Sequence, residues 1–124
     1  MSPFTEAELD YLTTERLLVR LATVGADGTP HVAPVGWSLG SKQEVIAVGG
    51  HALDQTKKYR DVKRHGRAAI VIDDVLPPWR PRGIEVRGRA EAIGGSEPRI
   101  RIHPDRIVAW GLDEGDRGRN ARNV

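Results

Sequence analysis

Residues 83–92 alternate in character without a break. Ile84, Val86, Gly88, Ala90 and Ala92 interleave with Glu85, Arg87, Arg89 and Glu91. A repeat of two is that of a β-strand with one dry face and one wet face. Such strands belong to antiparallel sheets packed on a core from one side. The rest of the chain therefore has to supply partner strands of similar kind.

It does so at short intervals. Residues 16–24 read as a strand, with Leu17, Val19, Leu21 and Thr23 alternating with Leu18, Arg20, Ala22 and Val24. Ala26-Asp27-Gly28-Thr29 is a turn, because Asp-Gly favours positive φ. His31 to Ser38 returns as a second strand, Leu39-Gly40-Ser41-Lys42 turns again, and Glu44 to Gly49 is a third. Arg67 to Asp73 is a fourth, whose nearly unbroken apolar run, 68–72, suits burial on both faces. Asp73-Asp74 would then be its terminus. Val75 to Pro81 reads as a Pro-rich loop carrying Trp79, and Arg99 to Trp110 as the last strand or strands, interrupted at His103-Pro104. The tail, 113–124, is polar and Gly- and Arg-rich, and is expected to be irregular.

Two helices fit between. Thr5-Glu6-Ala7-Glu8 has the form of a capping box and opens a helix to about Thr14, with Leu9 and Leu12 inward. Asp54 to His65 is the second. Leu53, Thr56, Tyr59 and Val62 supply its buried stripe, Lys57, Arg60 and Arg64 fall on another, and Gly66 ends it. Six strands joined by hairpin turns, with helices outside, imply a mainly β, single-domain antiparallel barrel with peripheral helices. Strands and helices do not alternate, which argues against a Rossmann sheet.

At 124 residues the chain has one modest core. With one Phe and two Tyr, that core is mostly Val, Ile, Leu and Ala. Little room is left for an enclosed ligand pocket, and a site shared by two subunits would supply it. There is no cysteine, which excludes disulfides, thiolate nucleophiles and Cys-ligated zinc. The start resembles no signal peptide, and no stretch approaches the roughly 20 apolar residues of a membrane span, so a cytoplasmic protein without membrane partners is expected.

The net charge is only +2, but it is unevenly placed. Residues 57–67 carry Lys57, Lys58, Arg60, Lys63, Arg64 and Arg67 against Asp61 alone. A local basic cluster suggests a local anion; a nucleic-acid binder is more often basic over a whole face.

The usual catalytic signatures are absent: no dinucleotide or P-loop glycine pattern, no nucleophile elbow, no H-E-x-x-H. His31, His51, His65 and His103 have no ligand spacing, and no metal site is expected. Three features carry chemical information. Pro34-Val35-Gly36-Trp37 lies inside a strand, where proline gives up a ladder donor and glycine lets a flat ligand approach; a bulge at a barrel rim has the same signature. Gly49-Gly50-His51 precedes the basic helix, whose N-terminus with Lys57 and Lys58 would suit a phosphate; a solvated helix face would look alike. Trp79, among Pro77, Pro78 and Pro81, would either cover a ring system or plug the barrel.

These segments, in this order, resemble the pyridoxamine 5'-phosphate oxidase-like split-barrel superfamily. Residues 21–24 with 27–35 look like its opening hairpin, and 56–60 through 67–71 are similar to its phosphate helix and following strand. Residues 83–90 match its G-x-A strand, and 102–111 resemble the closing strand of the coenzyme F420-dependent subgroup. His65-Gly66-Arg67 stands where the family often has Asn-Pro-Arg or Asp-Pro-Arg. The resemblance covers about residues 5–112 and implies a six-stranded split barrel and a homodimer with cofactor sites at the subunit interface. It implies an oxidoreductase passing a hydride from reduced coenzyme F420 to a small organic substrate; FMN, or cofactor binding without catalysis, are the alternatives. Carried over by position, Lys58 is the foremost phosphate ligand, with Thr56 and Lys57 beside it and Arg60 one turn on. Pro34, Val35 and Gly36 would line the ring, and Gly50 and His51 the phosphate end. Lys63 and Arg64 would suit the acidic tail of the deazaflavin. No catalytic residue stands out. The founding oxidase's C-terminal substrate residues have no counterpart, which argues against pyridoxamine phosphate oxidation itself.

Overall fold

A computed structural model describes residues 2–14, 18–112 and 119–124. Helix α1 (Glu6–Thr14) is followed by β1 (Leu18–Val24), β2 (Pro30–Pro34), β3 (Gly36–Leu39) and β4 (Ile46–Gly49). A single 3-10 turn (Leu53–Gln55) leads into α2 (Lys57–His65). Then come β5 (Arg67–Leu76), β6 (Arg80–Ile93), β7 (Arg99–Trp110) and β8 (Arg119–Asn123).

The strands form one antiparallel sheet in the order β2-β1-β5-β6-β7-β4-β3, with β8 added on β7. The two ends of that order, β2 and β3, are separated in sequence by Val35 alone. Opposite edges of the sheet must therefore meet, and the sheet curls into a split barrel. The expected second strand, His31 to Ser38, is thus two strands. Its chain leaves the β1 ladder at Pro34 and joins the β4 ladder at Gly36. The Val35 N–H still donates to Val19 O at 3.1 Å, so the first ladder makes its last bond at the residue between the two strands. Inward and outward positions still alternate from His31 to Leu39. Period two therefore survived the change of partner, and concealed it.

The core is aliphatic, as composition required. Leu21, Ile46, Ile70, Ile72, Ile84, Ile100 and Ile102 are essentially buried. Burial of such side chains, about 1.5–3 kcal/mol each, is the main source of stability. Ile84, Val86 and Ala90 face inward as their alternation dictated, and Gly88 occupies a bulge. There Arg87 pairs with Arg106 and Gly88 with Pro104, leaving Asp105 as the extra residue. A Cβ on Gly88 would sit 1.9 Å from His103 O, so only glycine fits. The expected interruption at His103-Pro104 is this bulge within one continuous strand.

Several boundaries differ from expectation. The third strand begins at Ile46, because Gln43 takes a positive φ and the turn extends past it. The second helix begins at Lys57, not Asp54: Thr56 is extended and acts as its N-cap. β5 runs on to Leu76, so Asp73 and Asp74 lie inside a strand, bonded to Arg20 and Arg82. The loop 75–81 shrinks to a tight turn, and Trp79 is 76% exposed there and plugs nothing. Ala69 and Val71 are half-buried, so one face of β5 is only partly covered. Leu17 lies outside the described residues, as do 113–118 of the expected irregular tail. Residues 119–123 of that tail are instead β8, giving eight strands in place of six. Polar side chains concealed it, because its pairing is made by backbone groups with Arg106 to Trp110.

Candidate functional site

The capping chemistry of α2 sets the position of its first lysines. Thr56 accepts a hydrogen bond from the Tyr59 N–H, and its own hydroxyl donates to Leu53 O. The Thr56 hydroxyl is therefore committed to ending one turn and starting the next. Tyr59 and Val62 bury the inner face of the helix, and Gly66 closes it with φ of 69°. Lys57 and Lys58 are left at the start, over the β1–β2 hairpin.

Between that helix end and the hairpin lies a cavity of about 190 Å³. Its floor is apolar, from Leu21 and Ala33, exposed Val32 stands at its edge, and its polar rim is Thr23, His31, Lys57 and Lys58. Thr23 and His31 face each other across the β1–β2 ladder. Asp61, one turn into α2, is buried behind them at 1% exposure. It accepts from Thr23 Oγ1 at 3.0 Å and from Lys57 Nζ at 3.1 Å, with Arg64 at 3.7 Å. Burial pushes the Asp61 carboxyl up, but the bonds from Lys57 and Thr23 hold it, on balance, below the ordinary carboxylate range. It is thus a buried anion with fixed partners.

That arrangement separates the two lysines. The charge of Lys57 is offset by Asp61, while among the described residues no carboxylate pairs with half-buried Lys58. Lys58 is the uncompensated cation of the cavity, and an anion is its natural complement.

Of the residues anticipated from sequence, Lys57 and Lys58 line the cavity, and Thr56 fixes them from the adjoining cap. Arg60 points elsewhere, donating to Gln55 O at 3.1 Å. Gly50 and His51 lie exposed in the turn after β4, outside the cavity lining. Pro34, Val35 and Gly36 continue the strand from Ala33. Val35 turns inward against the core, while Pro34 and Gly36 face outward. Gly36 pairs directly with Gly49, and a Cβ on either would meet nothing within 4 Å, so the sheet is bare there.

His31, Thr23 and Asp61 were not singled out as site residues. His31 and Thr23 were legible in principle, since an Asp-Gly hairpin sets their register. Asp61, the lone acid of the basic run, stands four residues from Lys57, a pairing distance on a helix. Among the described residues no cluster of three His, Asp or Glu side chains could hold a metal, and no helix is long and apolar enough to cross a membrane.

Residues 5–123 match the family model described as pyridoxamine 5'-phosphate oxidase. The chain is 40% identical to the 5a,11a-dehydrotetracycline/5a,11a-dehydrooxytetracycline reductase of Streptomyces rimosus, over 98% of this chain and 94% of that one. Among solved structures, a conserved hypothetical protein of Mycobacterium tuberculosis superposes with a TM-score of 0.73 at 18% identity, covering 88% of this chain and 86% of that one. A protein named an F420 reductase superposes with a TM-score of 0.61 at 22% identity, covering 79% and 94%.

Proposed function

The chain belongs to the pyridoxamine 5'-phosphate oxidase family, and from that premise we propose that it is a coenzyme F420-dependent reductase of electron-poor double bonds. The observation that carries this reading is Lys58, half-buried and without a carboxylate partner, at the rim of a cavity between the capped helix and the hairpin. The residues present suit an anionic ring cofactor. Lys58, seconded by Lys57, would hold its phosphate, and the bare Gly36–Gly49 surface would let a flat ring lie against the sheet.

When bound, the reduced deazaflavin supplies a hydride for the substrate. The work of the chain is binding and orientation. The Asp61–Thr23 bond fixes the hairpin to the helix, so the cation and the apolar floor keep their spacing. For the substrate, the 40% identical relative, named for 5a,11a-dehydrotetracyclines, points to a tetracycline-type compound with a double bond between carbons 5a and 11a. The hydride would enter at one carbon of that bond and a solvent proton at the other.

A cavity of about 190 Å³ is smaller than the ~300–1,000 Å³ of typical ligand pockets. A second copy of this chain would enlarge it, and Val32, 70% exposed beside the cavity, would be covered in such a dimer. A second reading, FMN in place of F420, is favoured by the presence of one uncompensated lysine, enough for one phosphate. Lys63 is exposed, and Arg64 shares Asp61, so a long acidic tail would find little beyond Lys63 on this helix.

Parallel titration of the protein with coenzyme F420 and FMN, followed by cofactor fluorescence and absorbance, tests the reading. Tight binding of the deazaflavin, and oxidation of its reduced form on adding a dehydrotetracycline, is the expected result. Exclusive binding of FMN would transfer the proposal to flavin chemistry.

A further inference from the structure

His31 is the polar side chain of the cavity that the reading above leaves unused. It projects inward from β2, opposite Thr23, and is half-buried. Among the described residues its ring has no hydrogen-bond partner, whereas the His65 ring bonds Gly25 O and the His103 ring bonds Glu91. Space for it is made by Gly25. A Cβ there would lie 3.0 Å from Lys57 Nζ and 3.3 Å from His31 Nε2, so the ammonium and the imidazole converge over one glycine.

We propose that His31 is an anion ligand: protonated, its imidazole joins Lys58 in holding the cofactor phosphate, so the anion is bound together with a proton. This rests on reading the cavity as a phosphate site. From α2, the charged or titratable groups around His31 are Lys57, Lys58 and Asp61, with Arg64 and the His65 ring, bonded to Gly25 O, behind. From the β1–β2 turn there is Asp27, which acts on Lys57 through space. From β1 there is only the Thr23 hydroxyl, already given to Asp61. The Asp61 charge is shared by Lys57 and Arg64, so it leaves Lys58 uncompensated. A bound anion favours the charged imidazole, and the charged imidazole favours the anion. Affinity therefore falls as pH rises through the imidazole range, and anion binding takes up protons from solution.

Calorimetric titration of the full chain tests this, in two buffers of different ionisation enthalpy, with coenzyme F420 and separately with sulfate, which does not titrate near neutrality. Wild type is expected to take up a fraction of one proton per site, with affinity declining several-fold between about pH 6 and 8. His31→Gln is expected to take up none and to bind with little pH dependence. Binding of either probe by wild type without proton uptake overturns the proposal, and this arm needs no variant to fold. Uptake retained in His31→Gln overturns it equally. Sulfate binding with uptake, but no F420 binding, would retire the deazaflavin reading and leave the His31 site standing. F420 binding without uptake would do the reverse, and binding of neither would remove both.

Discussion

Arg122 grips Glu8 with both ends of its guanidinium, at 2.7 and 2.9 Å, across 114 residues of chain. The same Glu8 accepts the Thr5 N–H, while the Thr5 hydroxyl accepts the Glu8 N–H. The capping box that opens α1 is thus also the anchor of β8. Arg122 further donates to Pro3 O at 2.8 Å, so the last strand holds both the helix and the segment before it.

Because Glu8 is 1% exposed, Arg122→Ala leaves a buried carboxylate with only its capping bond. Breaking a buried pair from one side typically costs about 3 kcal/mol or more. Urea unfolding should show that loss, and amide exchange should show β8 opening first. Glu8→Gln, which keeps a carbonyl oxygen for the Thr5 N–H, should cost less.

Gly88→Ala is expected to be among the most damaging single-methyl changes, because its Cβ would collide with backbone, not with a flexible side chain. Overpacking of this kind costs about 3 kcal/mol or prevents folding. Gly36→Ala, where a Cβ meets open space, should leave the thermal midpoint of the isolated chain nearly unchanged. A collapse of cofactor affinity in a stable Gly36→Ala would support a ring lying on that surface.

Asp61 and Asp74 both make stability depend on acid. Burial opposes the Asp61 charge, but bonds from Lys57 and Thr23 prevail; at Asp74 the Arg82 bond is the largest cause and Tyr11 adds to it. Both carboxyls titrate below their unfolded value of about 4. Their stabilisation is therefore complete above that value and is lost as pH falls through the lower folded values. Thr23→Val should flatten the decline in urea midpoint between about pH 5 and 3, since it removes one bond to the charged Asp61.

Lys58→Ala should weaken binding of the deazaflavin by about 1.5–3 kcal/mol, the range of a charge-assisted hydrogen bond, with an unchanged unfolding midpoint. Arg60→Ala should leave affinity at the wild-type level, because Arg60 is turned toward Gln55 O. Fluorescence titration of both variants distinguishes the residues within one helix.

Much of this molecule was decided by local pattern. Strict alternation in residues 83–92 determined a half-buried strand, Asp27-Gly28 determined the first hairpin, and Thr5 with Glu8 determined the start of α1. The ordered segments sufficed for the family, because each rests on groups close together in the chain. The tertiary structure decided what depends on distant partners. It split one apparent strand at Val35, since alternation fixes which way side chains point but not which strand accepts the hydrogen bonds. It made a strand of the polar segment 119–123, because backbone pairing to β7 and the Arg122–Glu8 bond need no apolar signal. It also brought His31, Thr23 and Asp61 together between the β1–β2 hairpin and α2, a constellation created by packing a helix on a hairpin and recorded in no single stretch of sequence.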